Sequence, residues 1–363
     1  MQKILITGAR APIALELARS FSSPRNEVIM ADSLRFTISR WSNSVSKYYV
    51  LPAPRYNIDD FIIAIQEIIQ TEQITHFIPT CEEAIYVAFH KEKFDCKVWT
   101  CESQLIIDLH NKYRFHQIMN PYLPIPKTVL VNNFLDWKNS KEYVFKRIYS
   151  RFATNTIIGK AVSKDYLKKD DRVNWIAQDY IKGKEICIYS LWNDGILKAY
   201  SAYHPLYQAG KGSGIFFQPI KNNRVLELVK NFGKQINYTG QLCFDVIIDK
   251  EENPYFIECN PRGTSGAHLI NEDLAACFLE NKQVIINNKN TFSIKYVLAI
   301  FHPFAFFKKQ VRQSKDVIYQ RADKKPFFLQ IISVFEMLYI KFTKNITLLQ
   351  ATTDDIEWND DEN

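Results

Sequence analysis

The first hundred residues alternate between short apolar runs and helically spaced segments, and this alternation constrains the fold more than any other feature of the chain. Lys3-Ile-Leu-Ile-Thr7 has the length and apolarity of a strand buried on both faces, and Gly8 ends it. Ile13, Leu17 and Phe21 then recur at helical spacing over 12–21. Glu27 to Ala31 reads as a second strand ending at Asp32, 59–70 as a second helix, and Thr75 to Pro79 as a further strand followed by Thr80, Glu82 and Glu83. Such alternation predicts a doubly wound α/β domain over 1–103. Polar residues at the carboxyl ends of its strands mark the usual ligand crevice.

Beyond residue 103 the pattern changes to α+β. One helix is expected over 104–119, closed by a loop with Pro121, Pro124 and Pro126. Strands are expected at Thr128 to Val131, Tyr143 to Arg147, 173–179 and 185–192, the last two around a turn at Gly183. A helix over 222–237 precedes two strands, 242–249 and 254–259, that flank the polar turn Lys250-Glu251-Glu252-Asn253. The organisation read from this is 104–290 as one α+β region, 291–350 as a mainly helical subdomain, and 351–363 as an acidic, solvated tail. At 363 residues the chain suits two or three domains.

The hairpin carries the chemistry. Asp245 and Glu258 are equidistant from the middle of its turn, so a regular hairpin sets them across from each other on one face. Asn260, two residues on, shares that face. Phe244, Val246 and Ile248 point the other way, into a core. Two carboxylates and an amide on adjacent strands suit a hard divalent cation, although an ordinary solvated hairpin face has the same composition. An unpaired charge at the end of so apolar a strand is costly, which favours the cation site, and Arg262 adds a cation suited to phosphate or carboxylate. Lys146, in the strand Tyr-Val-Phe-Lys-Arg, calls for an anionic partner. Lys112 sits at a helix in Asn-Lys-Tyr-Arg-Phe and reads alone as a surface lysine.

Together these segments resemble the ATP-grasp superfamily, over about residues 104–280 and in the family's order. Phe256-Ile-Glu-Cys-Asn-Pro-Arg262 looks like its carboxylate-and-asparagine metal motif, with Asp245 as the other metal carboxylate. Gln178-Asp-Tyr-Ile-Lys-Gly-Lys-Glu185 resembles its nucleotide hinge, and Lys112 and Lys146 its two ATP lysines. The first 103 residues resemble the domain that precedes ATP-grasp in the biotin-carboxylase and carbamoyl-phosphate-synthetase branch.

The resemblance implies an α/β preATP-grasp domain followed by α+β ATP-grasp domains. It implies a carboxylate–amine ligase, or a related carboxylate ligase, using ATP and Mg²⁺ or Mn²⁺. It implies metal binding by Asp245, Glu258 and Asn260, and nucleotide binding by Lys112, Lys146, Gln178, Asp179, Ile181, Glu185 and Asn260. Arg262 and Lys146 would act on the transferring group. Arg10, Glu83, Arg151, Lys211, Ser213 and Arg262 are candidate contacts for a small-molecule carboxylate and its amine partner. The small loop differs from the family pattern: Ile148-Tyr-Ser-Arg-Phe-Ala-Thr-Asn-Thr156 has no glycine, so Ser150, Arg151, Thr154 and Asn155 would act in its place.

Two other functions compete with this reading. A non-catalytic ATP-binding scaffold is compatible with the altered loop. A nicotinamide-dependent oxidoreductase draws on Gly8 and Asp32, but Gly8-Ala-Arg-Ala-Pro-Ile lacks the three glycines that let a pyrophosphate approach. The formal charge of +7 comes without zinc-finger spacing or a basic recognition helix, which argues against nucleic acid. Seven cysteines without a CxxC pair read as reduced thiols, and the start reads directly as a strand, so a cytoplasmic protein is expected. No uninterrupted run of 18 apolar residues predicts a spanning helix. Phe301-His-Pro-Phe-Ala-Phe-Phe307, followed by Lys308, Lys309 and Arg312, leaves peripheral membrane contact open, as homo-oligomer formation is left open.

Overall fold

The chain, seen in a computed structural model, is described over residues 1–151, 156–168, 174–210, 212–280, 282–286 and 290–359. Its first sheet is parallel, built from β1 (Gln2–Thr7), β2 (Asn26–Asp32), β3 (Lys47–Val50), β4 (His76–Ile78) and β5 (Lys97–Val98) in the order β3-β2-β1-β4-β5. Ile4, Leu5 and Ile6 on β1 are fully buried, as expected for a strand covered on both faces. Helices α1 (Pro12–Phe21), α2 (Ile58–Glu72) and α3 (Glu83–Phe89) connect the strands. Pro12 opens α1, where the missing N–H costs nothing. Gly8 has φ +72°, and a Cβ there would sit 2.9 Å from both Cys81 Sγ and Glu83 Oε1, so the β1–α1 turn needs glycine.

The single helix expected over 104–119 is two: α4 (Ser103–His110) and α5 (Lys112–Met119). Asn111 breaks it. Its side chain accepts from the N–H groups of Tyr113 at 3.1 Å and Arg114 at 3.0 Å, capping α5 in place of the backbone that α4 would have supplied. The break makes Lys112 the first residue of α5 and buries it.

A four-stranded antiparallel sheet follows, with β6 (Thr128–Leu130), β7 (Tyr143–Arg147), β8 (Ile157–Ile158) and β9 (Trp175–Asp179) in the order β6-β9-β7-β8. It has its own cluster around Phe134, Phe145 and Ala177. The largest sheet has eight strands: β10 (Gly183–Asn193), β11 (Ile196–Ala209), β12 (Ser213–Ile220), β13 (Gly240–Asp249), β14 (Pro254–Asn260), β15 (Val284–Ile285), β16 (Phe292–Ser293) and β17 (Lys315–Asp316). Its order is β14-β13-β10-β11-β12-β16-β17, with β15 beside β11. Gly183 opens β10 rather than forming a turn, because a Cβ there would lie 2.1 Å from the Ile248 carbonyl oxygen. The β11–β12 ladder runs on to the pairs Gln208 with Gly214 and Ala209 with Ser213.

The first and largest sheets share one core. Ile4, Ile6 and Trp99 pack in the same cluster as Tyr189, Leu191 and Cys243. The acidic tail is not solvated over its described length. Asp355 accepts from Arg10 at 2.6 Å, and the Trp358 ring is buried 5.1 Å from Tyr86 and 5.0 Å from Phe89. The need of buried Arg10 for counter-ions and the apolar area of Trp358 outweigh the solvation of the acidic residues around them.

Candidate functional site

The carboxylate pair depends on an irregularity that the sequence does not display. Near the turn, the ladder pairs Ile248 with Pro254, Ile247 with Tyr255 and Val246 with Phe256. Continued regularly, it would set Asp245 opposite Ile257 and turn Glu258 to the face of the buried Phe256. Ile257 is instead an extra residue on β14, and beyond it Asp245 pairs with Glu258, Phe244 with Cys259 and Cys243 with Asn260. A bulge re-aims the side chains that follow it. The expected face is therefore reached, but through a bulge and not through a regular hairpin. Phe244, Val246 and Ile248 join the core on the other face, as expected.

Two lysines converge on this pair from different elements. Lys112, at the start of α5, lies 3.2 Å from Glu258 and donates to the Ser150 carbonyl at 2.9 Å. Lys146, on β7, donates at 3.0 Å to the carbonyl of the bulged Ile257. Both are buried. Burial, reinforced by the like charge of Lys112, brings Lys146 down to about 8, although Glu258 pulls the other way. Burial alone would raise Glu258, but Lys112 and Lys146 hold it below the usual carboxylate range.

Asp245 is the opposite case. Burial, with the charges of Glu258 and Glu185, pushes it up to about 7. Among the described residues no basic group forms an ion pair with it, and Asn260 Nδ2 donates to it at 3.3 Å. Arg262 in turn donates to Asn260 Oδ1 at 3.2 Å, which orients the amide. Glu185, Cys187 and Asp245 offer ligand atoms within 4.8 Å of one another. Burial keeps the Cys187 thiol well above its ordinary value, hence protonated, so oxygen donors dominate. Three carboxylates and an amide oxygen, with Asp245 lacking an ion-pair partner among the described residues, fit a hard divalent cation.

The predicted hinge follows on β9 and β10. Glu185 is raised chiefly by burial and accepts from Gln208 at 3.2 Å. The Gln178 amide is engaged internally: it contacts the His116 ring nitrogen at 2.6 Å and donates to Thr128 Oγ1 at 3.1 Å. Its contribution to a ligand would thus come through the backbone. Asp179 and Tyr180 donate their N–H groups to the Lys127 and Glu142 carbonyls, and the Ile181 N–H has no partner among the described residues.

Three candidate substrate contacts are engaged elsewhere. Arg10 binds Asp32 and Asp355 in a buried cluster at the carboxyl ends of the inner strands β1 and β2. Glu83 is buried and accepts from Thr7 Oγ1 at 2.8 Å and the Thr80 N–H at 2.9 Å, which ties β1 to the end of β4. Arg151 is fixed by Glu82 and by the carbonyl of Trp358. The two arginines are satisfied within the protein, which leaves them poor ligands for an incoming carboxylate, whereas Glu83 is held by neutral donors, is raised by burial and keeps Oε2 without a partner among the described residues. Lys211, the Ser213 side chain, Thr154 and Asn155 lie outside the described residues. Asp32, which an oxidoreductase would use on a ribose, is held by Arg10 and by the Leu34 N–H.

Sequence reasoning passed over His116, Glu82 and Cys187. His116 contacts the Lys112 carbonyl at 2.5 Å and links α5 to Gln178. Its helical spacing of four from Lys112 was the available signal. Glu82 was visible only as a polar strand-end residue, and Cys187 only as one of several apolar cysteines.

Residues 109–266 match the family described as the ATP-grasp domain. Among solved structures, the chain is similar to N5-carboxyaminoimidazole synthetase from Staphylococcus aureus, at 12% identity and a TM-score of 0.63, over 89% of this chain and 91% of that one. It is similar to biotin carboxylase from Campylobacter jejuni, at 15% identity and 0.57, over 75% and 67%. It is also similar to L-amino acid ligase from Bacillus licheniformis, at 14% identity and 0.53, over 76% and 69%. No curated protein matches it in sequence. At these identities the likeness concerns the fold, and the fold is that of the ATP-grasp superfamily.

Proposed function

We propose that this ATP-grasp fold serves an ATP-dependent ligase, which activates a small-molecule carboxylate as an acyl phosphate for attack by an amine. The observation that carries the reading is the convergence of Lys112 and Lys146 on the directly paired Asp245 and Glu258. That arrangement puts two buried cations beside a carboxylate pair in which Asp245 has no ion-pair partner among the described residues, which suits a nucleotide's phosphates together with a divalent cation. Solved relatives of the same fold are described with ADP or with an ATP analogue, which agrees with a nucleotide here.

Phosphoryl transfer depends on alignment and charge neutralisation more than on covalent help. Asp245, Glu258 and Asn260 would hold Mg²⁺, which neutralises phosphate charge when bound. Lys112 and Lys146 neutralise the nucleotide's phosphates from two sides. Glu185 accepts from ribose hydroxyls, and the Ile181 N–H, without a partner among the described residues, reads an adenine edge. A carboxylate oxygen of the substrate attacks the γ-phosphorus and ADP leaves. The amine nitrogen then attacks the acyl carbon, loses a proton, and phosphate departs. Arg262, which already orients Asn260, lies close enough to the pair to steady the transferring group.

The test is ADP release by the purified protein with ATP and Mg²⁺ against matched panels of carboxylates and amines. Release that requires one carboxylate supports the reading, and release that further requires one amine identifies the ligation. ATP binding without ADP release under any pair would favour the scaffold alternative.

A further inference from the structure

The Lys325–Lys344 helix is folded with its apolar side outward. Pro326, Gln330 and Ser333 are its buried residues. Glu336, in its middle, accepts the backbone N–H groups of Arg35 at 2.9 Å and Phe36 at 2.8 Å. Phe328, Ile331, Phe335, Tyr339 and Phe342 follow one another at steps of three or four and make a single outward stripe, each between 45% and 74% exposed. A helix at a protein surface normally turns such a stripe inward, and contiguous exposed apolar area marks an interaction site.

The charge around the stripe says what covers it. Residues 295–344 contain ten Lys and Arg against three acidic residues, an excess equal to the formal charge of the whole chain, +7. The three acids are engaged internally. Asp316 accepts from the Ile318 and Tyr319 N–H groups, Asp323 pairs with Arg19, and Glu336 binds backbone as above. At the end of the helix Lys344 is paired with Asp354 at 2.7 Å, but other cations beside the stripe are not neutralised. Arg321, Lys324 and Lys325 are exposed beside its start, and Lys341 lies 5.2 Å from the Phe342 ring centroid. Among the described residues, none of these four forms an ion pair. Nearby in sequence, Phe304 and Phe307 are each 80% exposed and precede Lys308 and Lys309.

An apolar partner would account for the rings and leave the cations without a role, whereas an anionic lipid surface takes both together. We propose that this face docks the protein on a membrane surface rich in anionic lipid, with the helix lying in the headgroup plane. By length and composition the helix is apolar enough to cross a bilayer, although charged and polar residues interrupt its apolar run. The buried polar side and the Glu336 bonds to the Arg35–Phe36 backbone fix it along the protein, and crossing would strip them.

The test is co-sedimentation of the full chain with phosphatidylcholine vesicles, with and without phosphatidylserine. Binding should need phosphatidylserine and weaken as salt rises. Substituting Phe335→Ser, Tyr339→Ser and Phe342→Ser together should lower vesicle affinity by roughly a hundredfold or more, since most of each ring's transfer free energy is lost. Lys324→Glu with Lys325→Glu should lower it by at least roughly tenfold on anionic vesicles. This second variant keeps the test open if the first does not fold, which circular dichroism reports. Absence of wild-type binding to anionic vesicles overturns the proposal. So does equal binding to neutral vesicles, and so does a wild-type dimer that the serine variant makes monomeric, since a second copy then covers the face.

Discussion

Asp245 lies directly opposite Glu258 because Ile257 is an extra residue on its strand, and the carbonyl of that residue accepts from Lys146. One bulge thus aims a carboxylate and anchors a cation. The cost falls on Asp245, which is raised to about 7 by burial and by Glu258 and Glu185. An acid whose folded value lies above its ordinary 3.8 loses stability as pH rises from about 3.8 to about 7, and the full penalty applies above that. Asp245→Asn should therefore raise the metal-free stability, by on the order of 1–3 kcal/mol at pH 8, and with it the melting temperature, while abolishing Mg²⁺-dependent nucleotide binding. Thermal melts at pH 8 and pH 4 check this, with the gain expected to shrink at the lower pH.

The lysines should act on the nucleotide and not on the core. Lys112→Ala and Lys146→Ala should each weaken ATP binding by about 1–3 kcal/mol, whereas Lys230→Ala, at a lysine that pairs with Glu227 on an exposed helix face, should not. Lys146 carries a pH signature. Its value of about 8 without nucleotide should rise when phosphates bind, so affinity is full below about 8 and falls as pH climbs through it. Calorimetry across pH 7 to 9.5, roughly one pKa unit or more on each side, should show proton uptake that Lys146→Ala removes.

Glu82 is a structural acid next to the site. Burial alone would raise it, but the charge and hydrogen bonds of Arg151 bring it down to about 2. A depressed acid contributes stability that is present above its ordinary value of 4.5 and is lost as pH falls through that value towards about 2. Glu82→Gln should destabilise the protein by about 3 kcal/mol at pH 7. Denaturant melts should show the gap between variant and parent closing between pH 4.5 and pH 2. A gap independent of pH would mean that the bond to Arg151 is not what stabilises the acid.

Trp358 should behave as a core residue. Trp358→Ala should cost about 3–5 kcal/mol, as for other buried large aromatics, and loosen Arg151, which donates to its carbonyl. Denaturant unfolding measures the loss. A change below about 1 kcal/mol would return the tail to the solvated state that its composition implies.

The parallel sheet was legible because β1 and β2 are short apolar runs broken by Gly8 and Asp32, patterns that depend on nearest neighbours. The hairpin face was legible for its carboxylates but not for its geometry, since nothing local marks Ile257 as the extra residue. The partners of Arg10 and Arg151 were not legible, because a charged residue near a strand end looks alike whether it awaits a ligand or meets Asp355 or Glu82 from a distant segment. Asn111 splits a helix that apolar spacing joins, because capping depends on one side-chain oxygen. The outward stripe of the Lys325–Lys344 helix has a clean helical period, and period alone does not say which way a face turns.

The most direct measurement is ATP titration of the parent protein and of Glu258→Gln, each with Mg²⁺ and with chelator, alongside circular dichroism. The account predicts that the parent binds ATP tightly only with Mg²⁺. It predicts that the folded variant loses that dependence and binds at least tenfold more weakly, about 1.4 kcal/mol or more. ATP binding that is indifferent to both Mg²⁺ and Glu258, or no ATP binding by the parent, would contradict it.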